Sequence, residues 1–265
     1  MNSRDDALGR TRDERHRFPG HVYSQVIPEP DEIRPGGRPP WADLAPAARR
    51  GLSVERVARV LARRGQAGPP PEPPPVPGDP DGDAPGASVL VALFDEGGEA
   101  RVVLTRRSRT LRAHRGEVAL PGGRGEAGET PWETALREAR EEVGLDPASV
   151  RPLGWLTPLS TRVAPAAIVP VVGALSSRPS LEAQPDEVER VFTVPLSDLL
   201  AEDAFLEERW RREGSPGLDD EGFFPIYFYR VPGDLLWGAT ARVLTDLLTM
   251  VAGDLALGDP PQPGG

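Results

Sequence analysis

The sequence predicts an α/β protein in which helices cover both faces of a mixed β-sheet, an α/β/α sandwich. Two observations support this fold class. Short apolar runs of strand character recur between residues 87 and 229, and two longer segments with helical periodicity, 130–143 and 237–251, interrupt and follow them. Helices that alternate with strands in this way bury their apolar stripes against a sheet, which gives the layered architecture.

Composition divides the chain into four segments. The first, 1–52, is rich in Arg, Asp, Pro and Gly, and it is expected to be irregular and disordered. The alternative is a strap that packs Phe18, Val22 and Ile27 on the domain or on a second subunit of a homodimer. The other segments are a helix at 53–64 with a Pro-rich linker to 86, the compact domain at 87–252, and a disordered tail at 253–265.

Within the domain, 87–94 is expected to pair with 100–105 through a hairpin turn at 95–98. Pro165 and Pro170 place the strand at 166–175 at a sheet edge or beside a bulge. The acidic stretch 206–222 is expected to be irregular and exposed. Further strands are expected at 118–120, 154–159, 187–194 and 223–229, with a short helix beginning at 196–201.

The helix at 130–143 has clear ends. Thr130 and Glu133 have the spacing of a capping box, and Gly144 is expected to end the helix in the left-handed conformation. Its buried stripe is formed by residues at steps of four, three and four, namely Trp132, Leu136, Ala139 and Val143.

The other face of this helix carries Glu138, Glu141 and Glu142, at i, i+3 and i+4. Three carboxylates on one face repel each other by a few tenths of a kcal/mol per pair in an isolated helix. A cation would reverse the sign of that interaction, and oxygen ligands favour Mg²⁺ or Mn²⁺. Arg137 is placed to bridge to Glu133 and Glu141. The alternative is a solvated, charged face without a metal.

The wider stretch 123–145 resembles the signature of the Nudix hydrolase family. The family pattern is Gly, five residues, Glu, seven residues, Arg-Glu, an apolar residue, any residue, Glu-Glu, any residue, Gly and an apolar residue. The matching positions are Gly123, Glu129, Arg137, Glu138, Ala139, Glu141, Glu142, Gly144 and Leu145. The resemblance implies a Nudix-type α/β/α sandwich and metal-dependent hydrolysis of a diphosphate.

The preceding residues are similar to the coenzyme A pyrophosphatase branch of that family. This branch has a Leu-Thr-x-Arg-Ser segment, a spaced Arg, a Gly and then Phe-Pro-Gly-Gly. Leu120 here replaces the Phe. The matching residues are Leu104, Thr105, Arg107, Ser108, Arg112, Gly116, Pro121, Gly122 and Gly123. The resemblance implies a substrate like coenzyme A or its acyl derivatives.

These patterns assign roles to individual residues. Glu138 and Glu142 are the first candidate metal ligands and Glu141 the third, and the resemblance adds the carbonyl oxygen of Gly123. The general base is Glu141 or Glu187, and the sequence leaves both open. The other assignments are Arg137 for orienting the glutamates, Glu129 for supporting them, and Arg107 and Arg112 for contacting phosphate. His114 is expected to be solvated and Trp237 to be part of the core, with phosphate binding and adenine stacking as their respective alternatives.

Composition limits the partners. The 265-residue chain has a net charge of −10 and contains no lysine or basic tract, so general nucleic-acid binding is not expected. No apolar run is long enough to span a membrane, and the absence of cysteine favours the cytoplasm. The expected partner is a small nucleotide-like molecule. Two alternatives to the coenzyme A assignment are a Nudix enzyme for ADP-ribose or another nucleotide-sugar, and a non-catalytic Nudix ligand sensor.

Overall fold

The computed structural model describes residues 17–18, 21, 23, 25–70, 86–111, 113–160, 167–213 and 217–257. Short 3-10 turns at Pro46–Arg49, Pro147–Ser149 and Glu202–Ala204 join several of the main elements. The helices are α1 (Val54–Arg63), α2 (Pro131–Val143), α3 (Leu196–Leu199) and α4 (Gly238–Leu257). The strands are β1 (Glu32–Pro35), β2 (Ala87–Glu96), β3 (Glu99–Arg107), β4 (Val118–Ala119), β5 (Gly122–Arg124), β6 (Val150–Trp155), β7 (Leu159–Ser160), β8 (Ala167–Leu175), β9 (Val188–Pro195), β10 (Phe205–Arg211), β11 (Phe224–Val231) and β12 (Asp234–Trp237).

The main sheet is mixed, as predicted. Its strands run in the order β4-β3-β2-β8-β6, and β5, β7 and β9 pair with β2, β8 and β3, respectively. The β2–β8 pair is parallel and the other pairs are antiparallel. Alternate side chains of β2 enter two different cores, Leu90 the core under α2 and Val91 the core under α1 and α4. This confirms the predicted layers of helix, sheet and helix.

Helix α2 has the predicted ends. The Thr130 hydroxyl accepts a hydrogen bond from the Glu133 amide, the Glu133 carboxylate accepts one from the Thr130 amide, and Gly144 is left-handed with φ +67°. Ala139 and Val143 are fully buried against the sheet. Because capping and periodicity are local properties, they determine this helix before any tertiary contact is considered.

A second sheet was not expected. Strands β1, β10, β11 and β12 form an antiparallel sheet in that order. The expectation that 206–222 is irregular is therefore wrong for 206–211, which belong to β10. Trp210 is almost fully buried, and its neighbour Glu208 forms an ion pair with Arg17. The charges that suggested a loop are thus neutralised on a paired strand.

The described part of the N-terminal segment is also ordered by packing, contrary to the first expectation. Phe18 and Ile27 are buried on the second sheet, and Trp41 is buried against Phe205 and Tyr229. The strap alternative is thus confirmed for Phe18 and Ile27 on the chain's own domain, while Val22 lies outside the described residues. A few well-spaced aromatic residues bury enough apolar area to order a Pro-rich segment.

Two further expectations need correction. Strand β8 is central rather than at an edge, whereas the alternative of a bulge beside it is confirmed by the register shift at Pro152 and Gly154 of β6. Pro170 lies between the part of β8 that pairs with β6 and the part that pairs with β7. Helix α4 continues past 253 to Leu257, where buried Asp254 forms ion pairs with Arg56 and Arg63. The expected linker at 71–85 and the tail at 258–265 lie outside the described residues. In the described ranges, no helix combines the length and apolarity needed to cross a membrane.

Candidate active site

The three glutamates of α2 that are candidate metal ligands occupy very different environments. Glu142 is 2% exposed and faces β3 and β5, whereas the Glu141 side chain is 52% exposed. Glu138 is intermediate, with a side chain 16% exposed. The structure therefore brings Glu138 and Glu142 together beside β5 and leaves Glu141 at the rim.

Two consecutive glycines form the opposite wall of this site. The Gly122 amide donates a hydrogen bond of 3.2 Å to Glu142 Oε2. A Cβ on Gly123 would lie 2.5 Å from the Glu138 carboxyl carbon, and a Cβ on Gly122 would lie 2.3 Å from the Ser88 carbonyl oxygen. Only residues without side chains allow the backbone to approach the carboxylates this closely.

Arg107 enters the site from the end of β3. Its Nη1 lies 3.3 Å from Glu142 Oε1, and its side chain is 27% exposed. The predicted phosphate-binding residue therefore has a carboxylate partner in this structure and keeps a surface that a ligand can reach. Arg112, the other predicted phosphate contact, lies outside the described residues.

Arg137 connects the glutamates of α2 to the loop before it. Its Nη1 lies 3.0 Å from Glu138 and 3.1 Å from Glu141, and its Nε lies 2.7 Å from Glu129. The expected bridge to Glu133 is wrong, because that carboxylate is used in the helix cap. Arg137 thus holds two of the three glutamates and ties them to Glu129.

Glu187 is brought close to these residues by backbone hydrogen bonds that the sequence does not reveal. The Gln184 amide donates to the Glu142 carbonyl oxygen at 2.9 Å, so the loop before β9 covers the last turn of α2. The Glu187 carbonyl oxygen accepts a hydrogen bond from the Ser108 amide at 2.7 Å. The exposed Glu187 side chain is therefore held between α2 and the end of β3.

The electrostatics of the site are those of crowded carboxylates. Burial raises the pKa of Glu142 to about 7, and the charges of Glu138 and Glu187 act in the same direction. Burial likewise raises the pKa of Glu138 above its ordinary value. Buried oxygen ligands that repel each other are the donor set a hard divalent cation stabilises, so these residues fit Mg²⁺ or Mn²⁺.

The carboxylates are paired with arginines in this structure. Across the residues that the structure describes, no three Asp, Glu, His or Cys side chains are grouped closely enough to hold a metal ion. Arg137 lies against Glu138 and Glu141, and Arg107 lies against Glu142. Arg137 contacts one oxygen of Glu138 and one of Glu141, so each of these carboxylates keeps a second oxygen for a cation. Both oxygens of Glu142 have partners, so Arg107 would have to leave Glu142 when a cation binds there.

Two other residues with sequence-based expectations lie outside this group. His114 has a left-handed backbone with φ +56°, and its Nδ1 lies 3.1 Å from the Glu117 carboxylate in an exposed loop. Trp237 is partly buried, stacks on Phe228 and packs at a tilted angle against Trp210, as expected for a residue of the core. Sequence reasoning missed the contact of the Gly122 amide with Glu142, although two successive glycines beside a glutamate-rich helix could have indicated it.

Known proteins that are similar to this chain belong to the family whose signature the glutamates of the site match. The sequence model of the NUDIX domain matches residues 84–214, a range that contains Glu129, Glu138, Glu141, Glu142 and Glu187. "Nudix hydrolase 3" of Caenorhabditis elegans is 37% identical over 187 residues, which is 66% of this chain and 77% of that protein. An "Uncharacterized Nudix hydrolase NudL" of Photorhabdus laumondii is 36% identical over 166 residues, 62% of this chain and 84% of that protein.

A plant relative, "Nudix hydrolase 22, chloroplastic" of Arabidopsis thaliana, is 39% identical over 173 residues. That match covers 62% of this chain and 55% of the plant protein, so the chain spans about half the length of this relative. The helix with its glutamates, the glycine wall and the matches over most of two shorter relatives lead to one assignment. The chain belongs to the Nudix hydrolase family.

Proposed function

We propose that this Nudix hydrolase cleaves the diphosphate link of coenzyme A or an acyl-coenzyme A in the cytoplasm. The products would be a phosphopantetheine compound and adenosine 3′,5′-bisphosphate. One observation carries the proposal: residues of the coenzyme A branch motif contact the carboxylates of the Nudix signature. Arg107 and Gly122 both belong to the first pattern, and both contact Glu142, which belongs to the second.

In this proposal Glu138 and Glu142 hold Mg²⁺ or Mn²⁺, with Glu141 as the third carboxylate and the Gly123 carbonyl oxygen as a further ligand. When bound, such a cation neutralises charge on the phosphoryl oxygens and lowers the pKa of a coordinated water. The environment of Glu142 supports its assignment, because a buried carboxylate with like charges nearby gains most from a cation.

The remaining roles belong to the chain's own side chains. Arg107 binds the diphosphate after leaving Glu142, because a planar guanidinium forms paired hydrogen bonds with phosphate oxygens. Arg112 shares that role in the proposal. Arg137 fixes Glu138 through its bonds to Glu129, so it orients and does not react. We assign proton abstraction to Glu187 in preference to Glu141, since Arg137 already holds Glu141.

The test is a parallel assay of the purified chain with coenzyme A, ADP-ribose and a nucleoside triphosphate. Each substrate is measured with Mg²⁺, with Mn²⁺ and with EDTA, and Glu142→Gln serves as the inactive control. The proposal predicts metal-dependent turnover that is highest for coenzyme A and absent in Glu142→Gln. Faster turnover of ADP-ribose would retain the hydrolase and reject the substrate.

The choice between the two bases is tested separately with Glu187→Gln and Glu141→Gln. The assignment predicts that Glu187→Gln lowers kcat by about 10²- to 10⁴-fold, the range for loss of a general base. Glu141→Gln should lower it less. If Glu141→Gln is the more damaging change, the base role passes to Glu141.

A further inference from the structure

Arg107 lies at the end of β3, and residues outside the range of the NUDIX match help to hold this end of the strand in place. The antiparallel pairing of β3 with β9 is regular as far as Arg106 opposite Arg190, and then shifts by one residue so that Arg107 lies opposite Val188. Glu189 is left without an opposite residue in this ladder, as in a β-bulge. The register shift lies between Arg106 and Arg107 on β3 and next to Glu187 at the start of β9. It therefore sets where the side chains of Arg107 and Glu187 lie.

The last regular pair before this shift consists of two arginines. Like charges directly opposite each other on neighbouring strands are destabilising. Here Asp234 neutralises both: its Oδ1 lies 3.0 Å from Arg106 Nη1, and its Oδ2 lies 2.5 Å from Arg190 Nη2. We name Arg106, Arg190 and Asp234 the Asp234 clamp. Asp234 is fully buried, so water cannot screen the two arginines in its place.

Asp234 is itself rigidly placed by the second sheet. It begins β12 after a turn at Pro232 and Gly233, and the Pro232 carbonyl oxygen accepts a further hydrogen bond of 2.9 Å from Arg190. The Asp234 carbonyl oxygen accepts a hydrogen bond of 2.8 Å from His21 Nε2. The carboxylate therefore acts from a fixed backbone rather than from a flexible loop.

The N-terminal strap completes the support. Gln25, which is 3% exposed, accepts a hydrogen bond from the Leu235 amide at 2.8 Å and donates one to the Leu235 carbonyl oxygen at 2.5 Å. Its side-chain amide thus pairs with β12 as a neighbouring strand would. Residues 21, 25 and 234 all lie outside 84–214, the range of the family match.

We propose that Asp234 is a positioning residue for the active site: it holds the β3–β9 register shift that sets the places of Arg107 and Glu187. Asp234 does not touch the reacting atoms, and its effect passes through Arg106 and Arg190. Glu189 also lies near Arg106, at 3.6 Å, but its side chain is 40% exposed and its interaction is screened by water. Loss of the Asp234 charge therefore removes the one buried carboxylate, among the described residues, that is shown to contact both arginines.

The test has two parts. The first measures enzyme kinetics and rests on the proposed hydrolysis, whereas the second measures hydrogen exchange and does not depend on any activity. Asp234→Asn keeps the size of the side chain and removes its charge. The matched control is Asp203→Asn, which breaks the ion pair of a 74% exposed aspartate with Arg230 of the same sheet. We expect kcat of Asp234→Asn to fall at least tenfold, since a displacement of about 1 Å can cost about 100-fold. KM for the diphosphate should rise as well, because Arg107 is displaced, whereas Mn²⁺ affinity should stay within threefold of the wild type.

The second part is hydrogen exchange of peptides covering 104–111, without substrate. The Ser108 amide is bonded to Glu187 and the Arg107 amide to Glu117, so loosening of the register shift should speed their exchange in Asp234→Asn. Exchange in α2 should not change, and Asp203→Asn should match the wild type. Arg190→Met removes one arm of the clamp and provides the same readout if Asp234→Asn does not fold.

Unchanged exchange at 104–111 in the folded variants would overturn the proposal. A kcat of Asp234→Asn within twofold of the wild type would also overturn it. So would the joint loss of kcat, Mn²⁺ binding and hydrogen-exchange protection in α2, because that pattern means general unfolding. If the wild type cleaves a diphosphate other than coenzyme A, kcat is measured on that substrate and the clamp remains testable. If it cleaves none, the proposed function fails while the exchange experiment still decides the clamp.

Discussion

Replacement of Gly123 by alanine tests directly whether the close approach of Gly122 and Gly123 to the carboxylates positions Glu138. A Cβ at this position would lie 2.5 Å from the Glu138 carboxyl carbon and 2.6 Å from both of its oxygens. Ordinary contacts begin at about 3.4 Å, so the carboxylate must retreat by about 1 Å. The displaced atoms are the far end of a flexible side chain, and Gly123 does not have a positive φ. The fold should therefore tolerate the change while Glu138 loses its position.

We expect Gly123→Ala to melt within about 3 °C of the wild type in EDTA, a shift of about 1 kcal/mol, because only the end of the Glu138 side chain must move. Mn²⁺ affinity and kcat should each fall about 10- to 100-fold, the usual effect of disturbing groups that orient a metal ligand. The assays are thermal melting, Mn²⁺ titration and steady-state kinetics.

Two matched glycine variants make the result interpretable. Gly122→Ala would place its Cβ 2.3 Å from the Ser88 carbonyl oxygen at φ +153°, so it should lower the melting temperature strongly. Gly86→Ala meets only the Ala167 carbonyl oxygen, at 3.5 Å, and should leave both stability and activity unchanged. Wild-type Mn²⁺ affinity and kcat in Gly123→Ala would refute the role given to the approach of Gly123 to Glu138.

Three further predictions concern charges. Glu142→Gln should lower kcat at least 100-fold yet raise the melting temperature in EDTA, because it removes a buried charge beside like charges; a lower melting temperature would contradict this. Arg107→Gln should raise KM for the diphosphate and lower the melting temperature in EDTA, since Glu142 loses its partner; unchanged kinetics would count against phosphate binding. The hydrogen bond from Arg137 lowers the pKa of Glu129 to about 2, so its stabilisation is complete above about pH 4.5 and is lost as pH falls towards 2. Glu129→Gln should therefore flatten the loss of stability between pH 5 and 2 in denaturant melts, whereas Glu126→Gln, at an exposed site, should not.

The sequence determined α2 and its surroundings because their causes are local. Thr130 and Glu133 cap the helix, Gly144 ends it, and the apolar spacing selects the buried face. The same spacing placed Glu138 and Glu142 on one side. The main sheet followed from apolar runs of strand length, and its mixed character from their interleaving with helices.

The second sheet could not be predicted in this way. Strand β1 pairs with β10 across about 180 residues, with Ile33 opposite Trp210, and nothing local indicates such a partner. The polar composition of β10 and of the N-terminal strap indicated loops, because their charges are neutralised by residues distant in sequence. Arg17 and Glu208 are one such pair.

The sequence predicted which residue types form the site, but it predicted fewer of the contacts between them. Glycines and glutamates identified the wall and the carboxylates, but the pairing of Arg107 with Glu142 depends on where β3 ends. The place of Glu187 depends on the hydrogen bond from the Gln184 amide to the Glu142 carbonyl oxygen. Backbone hydrogen bonds of this kind leave no mark on residue identity, so only the folded structure reveals them.

The most direct test of the proposed function is mass-spectrometric analysis of the products formed from coenzyme A with Mn²⁺. The proposal predicts equal amounts of adenosine 3′,5′-bisphosphate and 4′-phosphopantetheine, with neither product in EDTA or with Glu142→Gln. Coenzyme A that remains intact while ADP-ribose is cleaved would contradict the substrate assignment. Equal product formation by Glu142→Gln and the wild type would contradict the role of the buried carboxylate on which the mechanism depends.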